Sequence, residues 1–196
     1  MDFQEKIANI ISLILSPVGV AFIGTIAFSF FPKNSTNSYN TFISLILGIF
    51  FLSVLPVILI LYYTKKGKID LWVSERKIRT PFYVFAIIGY IFALIIFYYL
   101  ELFEMMVFTA AYLFVTISIL FGNFYTKISS HTGGVTGPVI ALIYIFGINA
   151  MPLIILIPMV TWSRKKLNAH NDFQLISGIV IATIVTFITY YFFYDF

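Results

Sequence analysis

Pro138-Val139-Ile140-Ala141-Leu142-Ile143-Tyr144-Ile145-Phe146-Gly147-Ile148-Asn149-Ala150-Met151-Pro152-Leu153-Ile154-Ile155-Leu156-Ile157-Pro158-Met159-Val160-Thr161-Trp162 is the stretch on which the fold turns. It carries no charge and is long enough to cross a bilayer once, which takes about 20 apolar residues. It also contains a natural break, Gly147-Ile148-Asn149-Ala150-Met151-Pro152. Broken there, each half holds about a dozen residues and reaches only ~18 Å at ~1.5 Å per residue, short of a ~30 Å hydrocarbon core. One crossing puts the flanking polar segments on opposite faces of a membrane. A hairpin puts them on the same face.

The rest of the chain has the same character. Of 196 residues, 61% are hydrophobic and 10% charged, with a mean hydropathy of +1.00. A soluble domain carries about 25% charged residues, and a soluble fold of this length has no means of hiding so much apolar surface. The bilayer is the natural solvent, and the length suits a single transmembrane domain over 1–196. Candidate spans run from about Ile7 to Phe31, with Pro17 as a kink, from Thr41 to Tyr63, from Pro81 to Leu100, on to about Phe121, and from Phe173 to Tyr194. Polar turns are expected over Pro32–Asn40 and around Glu101 and Glu104. A glycine-rich loop is expected over Gly122–Gly137. The expectation is an all-α integral membrane protein, a bundle of about six transmembrane helices. The first span reads as retained, since no small-residue cleavage site follows it.

Composition excludes several chemistries. There is no cysteine, hence no disulfide and no thiolate metal site, and two histidines are too few for a histidine-rich one. The eight acidic residues form no Asp-rich metal motif of the kind membrane phosphotransferases need. Desaturases need more histidines. An intramembrane serine protease needs its serine within a helix, whereas Ser129 and Ser130 are expected in a loop. So little polar surface also sets nucleic acid aside as a partner.

Three polar clusters remain: Glu75-Arg76-Lys77-Ile78-Arg79-Thr80-Pro81, Lys127-Ile128-Ser129-Ser130-His131-Thr132-Gly133-Gly134, and Ser163-Arg164-Lys165-Lys166-Leu167-Asn168-Ala169-His170-Asn171-Asp172-Phe173-Gln174. Basic residues flank membrane helices routinely as anchors, and a Gly-Gly pair is usually a turn. Together the clusters say more. Both histidines of the chain lie in them, each with cations close by. Guanidinium forks match phosphate oxygens, and an imidazole serves as nucleophile or general acid near neutrality. His170 and Gln174 are four apart, with Gly178 four further on. If Asn168 caps the last helix, all three share a face and Gln174 orients the His170 ring.

These clusters resemble the signature of the type 2 phosphatidic acid phosphatase family, in its divergent microbial branch. Ser163-Arg164, five residues, then His170 match its third segment. Ser129-Ser130-His131 stands where Ser-Gly-His is expected, and Arg76, Arg79 and Pro81 resemble the first segment. The likeness covers about half the chain. Two positions depart from the pattern: Trp72 stands where the first-segment lysine falls, and Gln174 stands where an aspartate orients the nucleophilic histidine. A neutral amide orients the ring but offers less charge stabilisation.

The resemblance implies a lipid phosphatase in the plasma membrane of a microbe that needs no metal or cofactor. His170 is then the nucleophile, forming a phospho-histidine, and His131 the general acid. Arg76, Arg79, Lys127, Ser129, Ser130 and Arg164 hold phosphate oxygens. The implied partners are a lipid phosphate or diphosphate and the surrounding membrane lipids. A non-catalytic lipid-phosphate binder or small transporter on the same scaffold is the alternative, favoured by Gln174.

The clusters form one site only on one side of the membrane. That requires the 138–162 run to be a broken hairpin, since a single span puts His131 and His170 ~30 Å apart. With the hairpin, eleven of the twelve Lys and Arg residues share the motif side and only Lys33 lies opposite. The positive-inside rule then favours the cytoplasmic face for the site.

Overall fold

A computed structural model describes residues 2–34 and 40–194, and within them every regular element is helical. Nine α-helices follow one another: α1 Phe3–Ile14, α2 Pro17–Phe30, α3 Thr41–Gly48, α4 Leu55–Lys65, α5 Thr80–Tyr99, α6 Phe103–Tyr125, α7 Ser130–Phe146, α8 Leu156–Lys166 and α9 Asp172–Tyr194. Five helical segments are long and apolar enough to cross a membrane, six when the bent pair α1–α2 is taken as one. The protein is an all-α, multi-pass membrane bundle. Its outer surface is a belt of exposed Phe, Ile and Tyr such as Phe92, Ile184 and Phe187, while Phe28, Phe97, Phe108 and Tyr190 fill the interior.

Local chemistry sets the element ends. Asp2 and Glu5 form a reciprocal capping box at the start of α1. Ser16 caps α2 ahead of Pro17, whose missing N–H is harmless at that position. The result is the expected kink, a 46° bend between α1 and α2. The span from Thr41 continues unbroken to Lys65 but widens to a π-helix over Ile49–Val54, just before Pro56. Such a bulge relieves the hydrogen bond that an internal proline cannot make. Of the polar turn expected over Pro32–Asn40, residues 35–39 lie outside the described residues.

The 138–162 run is broken as the chemistry demanded. Helix α7 ends at Gly147, whose φ of 59° and ψ of −132° suit glycine alone. A 3₁₀ segment, Gly147–Ile155, turns the chain back along α7, and α8 packs against both α7 and α1. The hairpin is longer than the sequence suggested, because its first arm starts at Ser130 and not at Pro138. Its 17 residues span about 25 Å at ~1.5 Å per residue.

The glycine-rich loop expected over Gly122–Gly137 is therefore mostly helix, with only Thr126–Ser129 as connector. Glycines here let helices approach. A Cβ on Gly178 of α9 would lie 2.4 Å from Thr132 Oγ1 and 2.6 Å from the Ser129 carbonyl, and one on Gly134 would lie 2.6 Å from Pro17. Small residues at helix contacts are how membrane bundles pack. Glu104 departs from expectation too, sitting buried in the first turn of α6 and not in the interfacial turn.

The two ends of the bundle are now distinct. Lys33 donates to the Ile145 carbonyl at the far end of α7, whereas Lys166 reaches Asp2 and Gln4 beside the start of α1. The three polar clusters gather at the latter end.

Candidate functional site

Four connections pull the clusters together. The Ser129 N–H donates to the Gln174 carbonyl (3.2 Å). Lys127 Nζ donates to the Ala169 carbonyl (2.9 Å), tying the α6–α7 connector to the α8–α9 turn. Arg79 Nη1 donates to the Ile128 carbonyl (3.2 Å) and its Nε to that of Val73 (2.8 Å). Arg164 Nη1 donates to Ser12 Oγ (2.7 Å), and the Ser12 backbone hydrogen-bonds His131. His131, His170, Arg79 and Ser130 line one cavity of about 410 Å³.

The α9 cap differs from expectation. Asn168 adopts a left-handed conformation, φ 51°, in the turn after α8. The cap is Asn171, whose Oδ1 accepts from the Gln174 N–H (2.9 Å) while Gln174 Oε1 accepts from the Asn171 N–H (3.4 Å). This is the reciprocal box of an Asn-x-x-Gln start. It leaves His170 just outside the helix, yet keeps the pairing: His170 Nδ1 lies 3.1 Å from Gln174 Oε1. Because that oxygen only accepts, Nδ1 carries the proton and Nε2 keeps its lone pair free.

The electrostatics are one-sided. Arg79 is 6% exposed, Arg164 3%, His131 9% and His170 8%, and among the described residues no carboxylate forms an ion pair with any of them. The salt bridges among the described residues are Lys165–Asp172 and Lys166–Asp2, both outside the cavity. Asp70 is the nearest acidic influence. Its carboxylate already accepts from the N–H groups of Trp72 and Ser74 and from the Ser74 hydroxyl. Burial, then the nearby Lys127 and Arg79 charges, push His170 down to about 3 against the smaller opposing pull of Gln174, so its ring is neutral near pH 7. Lys127 is lowered as well, first by burial and then by Arg79 and Arg164. Two buried atoms here have no hydrogen-bond partner among the described residues, His131 Nε2 and Arg164 Nε. Leaving such groups unpaired costs about 1–3 kcal/mol each, more when charged.

The remaining expected phosphate ligands are otherwise engaged. Arg76 Nη1 donates to the Asn123 and Phe124 carbonyls at the end of α6 (3.0 and 2.9 Å) and, like Lys127, Ser129 and Arg164, does not line the cavity. Ser129 is fully buried as the α7 cap, its Oγ accepting from the Thr132 N–H at 3.3 Å. The Ser130 hydroxyl lies 2.6 Å from the Tyr83 hydroxyl.

Sequence reading missed three contributors. Ser12 bridges Arg164 and His131 from α1, with no local signal to mark it. Tyr83 holds Ser130. Trp72 packs between His131 and Arg164, its ring centroid 5.2 Å from each. Its position in place of a lysine was the available hint. Asp70 builds the tight loop that presents it, with Val73 at a left-handed φ of 46°. No group of three or more His, Cys, Asp or Glu side chains is arranged to hold a metal ion among the described residues.

Comparison with protein-family models, curated proteins and solved structures finds no match for this chain.

Proposed function

We propose that the chain is a membrane phosphatase of the type 2 phosphatidic acid phosphatase kind, acting on a lipid phosphate or diphosphate without a metal. The observation that carries the reading is a buried group of cations and imidazoles with, among the described residues, no carboxylate partner and two orphaned nitrogens. A buried charge without a counter-ion is unfavourable by several kcal/mol. A phosphate supplies both the negative charge and the acceptors.

His170 Nε2 attacks phosphorus, forming an N–P bond as the P–O bond to the lipid breaks. His131, protonated once the phosphate charge enters, gives its proton to the departing oxygen. It then takes a proton from the water that cleaves the N–P bond, releasing phosphate and restoring His170. Arg79, Arg164 and Lys127 stabilise the equatorial oxygens throughout. Gln174 holds the attacking tautomer in place.

The test is phosphate release from lipid phosphates and diphosphates in detergent with EDTA present, wild type against His170→Ala. Release that survives EDTA and falls by at least about 10³-fold in the variant supports the reading. Release abolished by EDTA, or equal in the variant, sinks it.

Gln174 favours a second reading, a lipid-phosphate binder that does not turn over. Phosphate-dependent binding without release in wild type, unchanged in Gln174→Asp, would establish it.

A further inference from the structure

The cavity that begins at the two histidines continues far beyond any phosphate. Below Arg79, His131 and His170 it is walled by Ala86, Ala111, Val115 and Gly137, and it reaches Tyr90, Phe108, Tyr112 and Thr186. Two helices measure its depth. Ile119 of α6 is level with Gly133 of α7, whose added Cβ would lie 2.7 Å from it. From Ile119 to Phe108 is eleven residues, about 16 Å at ~1.5 Å per residue. On α9, Gly178 is level with Ser129 and Thr132, and Thr186 lies eight residues further, about 12 Å. The cavity therefore ends near mid-membrane, half of a ~30 Å core.

Its floor is closed by interlocked rings. Tyr90 and Tyr112 have centroids 5.9 Å apart, Tyr112 and Phe108 5.1 Å, and Phe108 and Phe28 4.7 Å. The volume, about 410 Å³, is at the low end of the ~300–1,000 Å³ of ligand sites, with room for one slender chain. A side opening completes the picture. Leu13 of α1 and Leu61 of α4 line the cavity yet are 59% and 49% exposed. Helix α1 packs on α8, whereas α4 packs on α5 and the π-helical segment. The gap between α1 and α4 faces lipid.

We propose that this cavity is a ruler for a single hydrocarbon chain: the substrate is a one-chain phosphate ester whose first ten to thirteen carbons lie inside the bundle and stop on the Tyr90–Phe108–Tyr112 floor. The carbon count follows from 12–16 Å at about 1.2 Å per bond, the advance of an extended backbone. Glycerolipid phosphates, with two chains side by side, are poor ligands. The proposal rests on the lipid-phosphate reading of the site and adds the class of lipid.

Trp162 lies on the exposed face of α8 and Trp72 lines the cavity mouth, so Trp162→Phe leaves Trp72 as sole fluorescent reporter of the site. Octyl, decyl, dodecyl and hexadecyl phosphate are titrated into that protein in detergent, and into versions that also carry Ala111→Leu or Ala86→Leu. Ala111 lies about 12 Å below Ile119, and Ala86 about 5 Å below Tyr83. Ala111→Leu is expected to lower the dodecyl-to-octyl affinity ratio by at least about tenfold. Ala86→Leu, nearer the mouth, should move the loss down to decyl phosphate. Micellar partitioning is common to all the proteins and cancels in the comparison.

Unchanged ratios in both folded variants, Trp72 emission indifferent to every alkyl phosphate, or dipalmitoyl phosphatidate binding as tightly as dodecyl phosphate would each overturn the ruler. Phosphate release is followed in the same samples. Length-dependent binding without release would remove the phosphatase reading and leave the ruler standing. Release without length dependence would do the reverse.

Discussion

The bundle buries charge at both ends, and the two ends handle it differently. At the Lys33 end, Glu104 is 2% exposed and one carboxylate oxygen accepts the Asn34 N–H, while Lys33 donates to the Ile145 carbonyl near the end of α7 and lies 5.7 Å from the Phe146 ring. Glu104 also sits in the first turn of α6, where the helix dipole favours an anion. These charges brace turns. At the histidine end, Arg79 and Arg164 are as deeply buried, Arg79 lines an open cavity, and neither has an acid to pair with among the described residues. Burial alone does not separate structural from functional charge. Glu104 Oε2 is as unpartnered as Arg164 Nε among the described residues, so what separates the two ends is company: Glu104 is tied to one turn, whereas Arg79 and both histidines line a common cavity.

Four substitutions or conditions put that contrast at risk. The largest effect is expected from Arg164→Met, which keeps the volume and removes the unpaired charge. Phosphate release should drop about 10²–10³-fold, as when other oxyanion stabilisers are removed. The melting temperature should hold or rise, since a buried charge replaced by an apolar isostere is often neutral or stabilising. A melting temperature that collapses with activity would mean Arg164 is structural after all. Glu104→Ala should behave in the opposite way. It leaves the Asn34 N–H unpaired and should lower stability by about 1–3 kcal/mol, while the KM for a lipid phosphate stays as in wild type.

A smaller effect comes from pH. The His170 pKa, about 3 in the folded protein, lies below the ordinary 6.5. The unfolded chain therefore takes up a proton first as pH falls. The stability that the neutral ring contributes is complete above pH 6.5 and is lost progressively toward pH 3. Thermal melts between pH 7 and 5 should show the decline, His170→Asn should make it shallower, and added inorganic phosphate should oppose it in wild type. The smallest change is expected from Gln174→Asp, a several-fold gain in turnover if the side chain still reaches Nδ1. A loss would show that amide orientation outweighs charge here.

Much of this was readable from the chain. The spans followed from hydropathy, and the hairpin followed from requiring His131 and His170 to meet. The pairing of His170 with Gln174 followed from their spacing, although the cap proved to be Asn171. Both asparagines were visible, and Asn171-x-x-Gln174 was the better box. The glycines misled because their meaning depends on solvent. In water a run such as Gly133-Gly134 loosens a helix, whereas in a bilayer, with no competing water for the backbone, it lets α7 touch α2 and α9. Ser12 and Tyr83 were out of reach because their roles exist only once distant helices pack, 152 residues apart in the case of Ser12 and Arg164.

The reversal at Gly147 carries a further consequence for biogenesis. Ser130–Lys166 is apolar enough to be threaded as one segment, and a segment threaded once would deliver His170 to the opposite face and invert α9 in the membrane. One residue with a positive φ thus fixes the orientation of everything that follows it. Gly147→Val, by opposing that backbone angle, is a change that tips molecules between two opposite insertions and leaves each inverted copy with one histidine on either side.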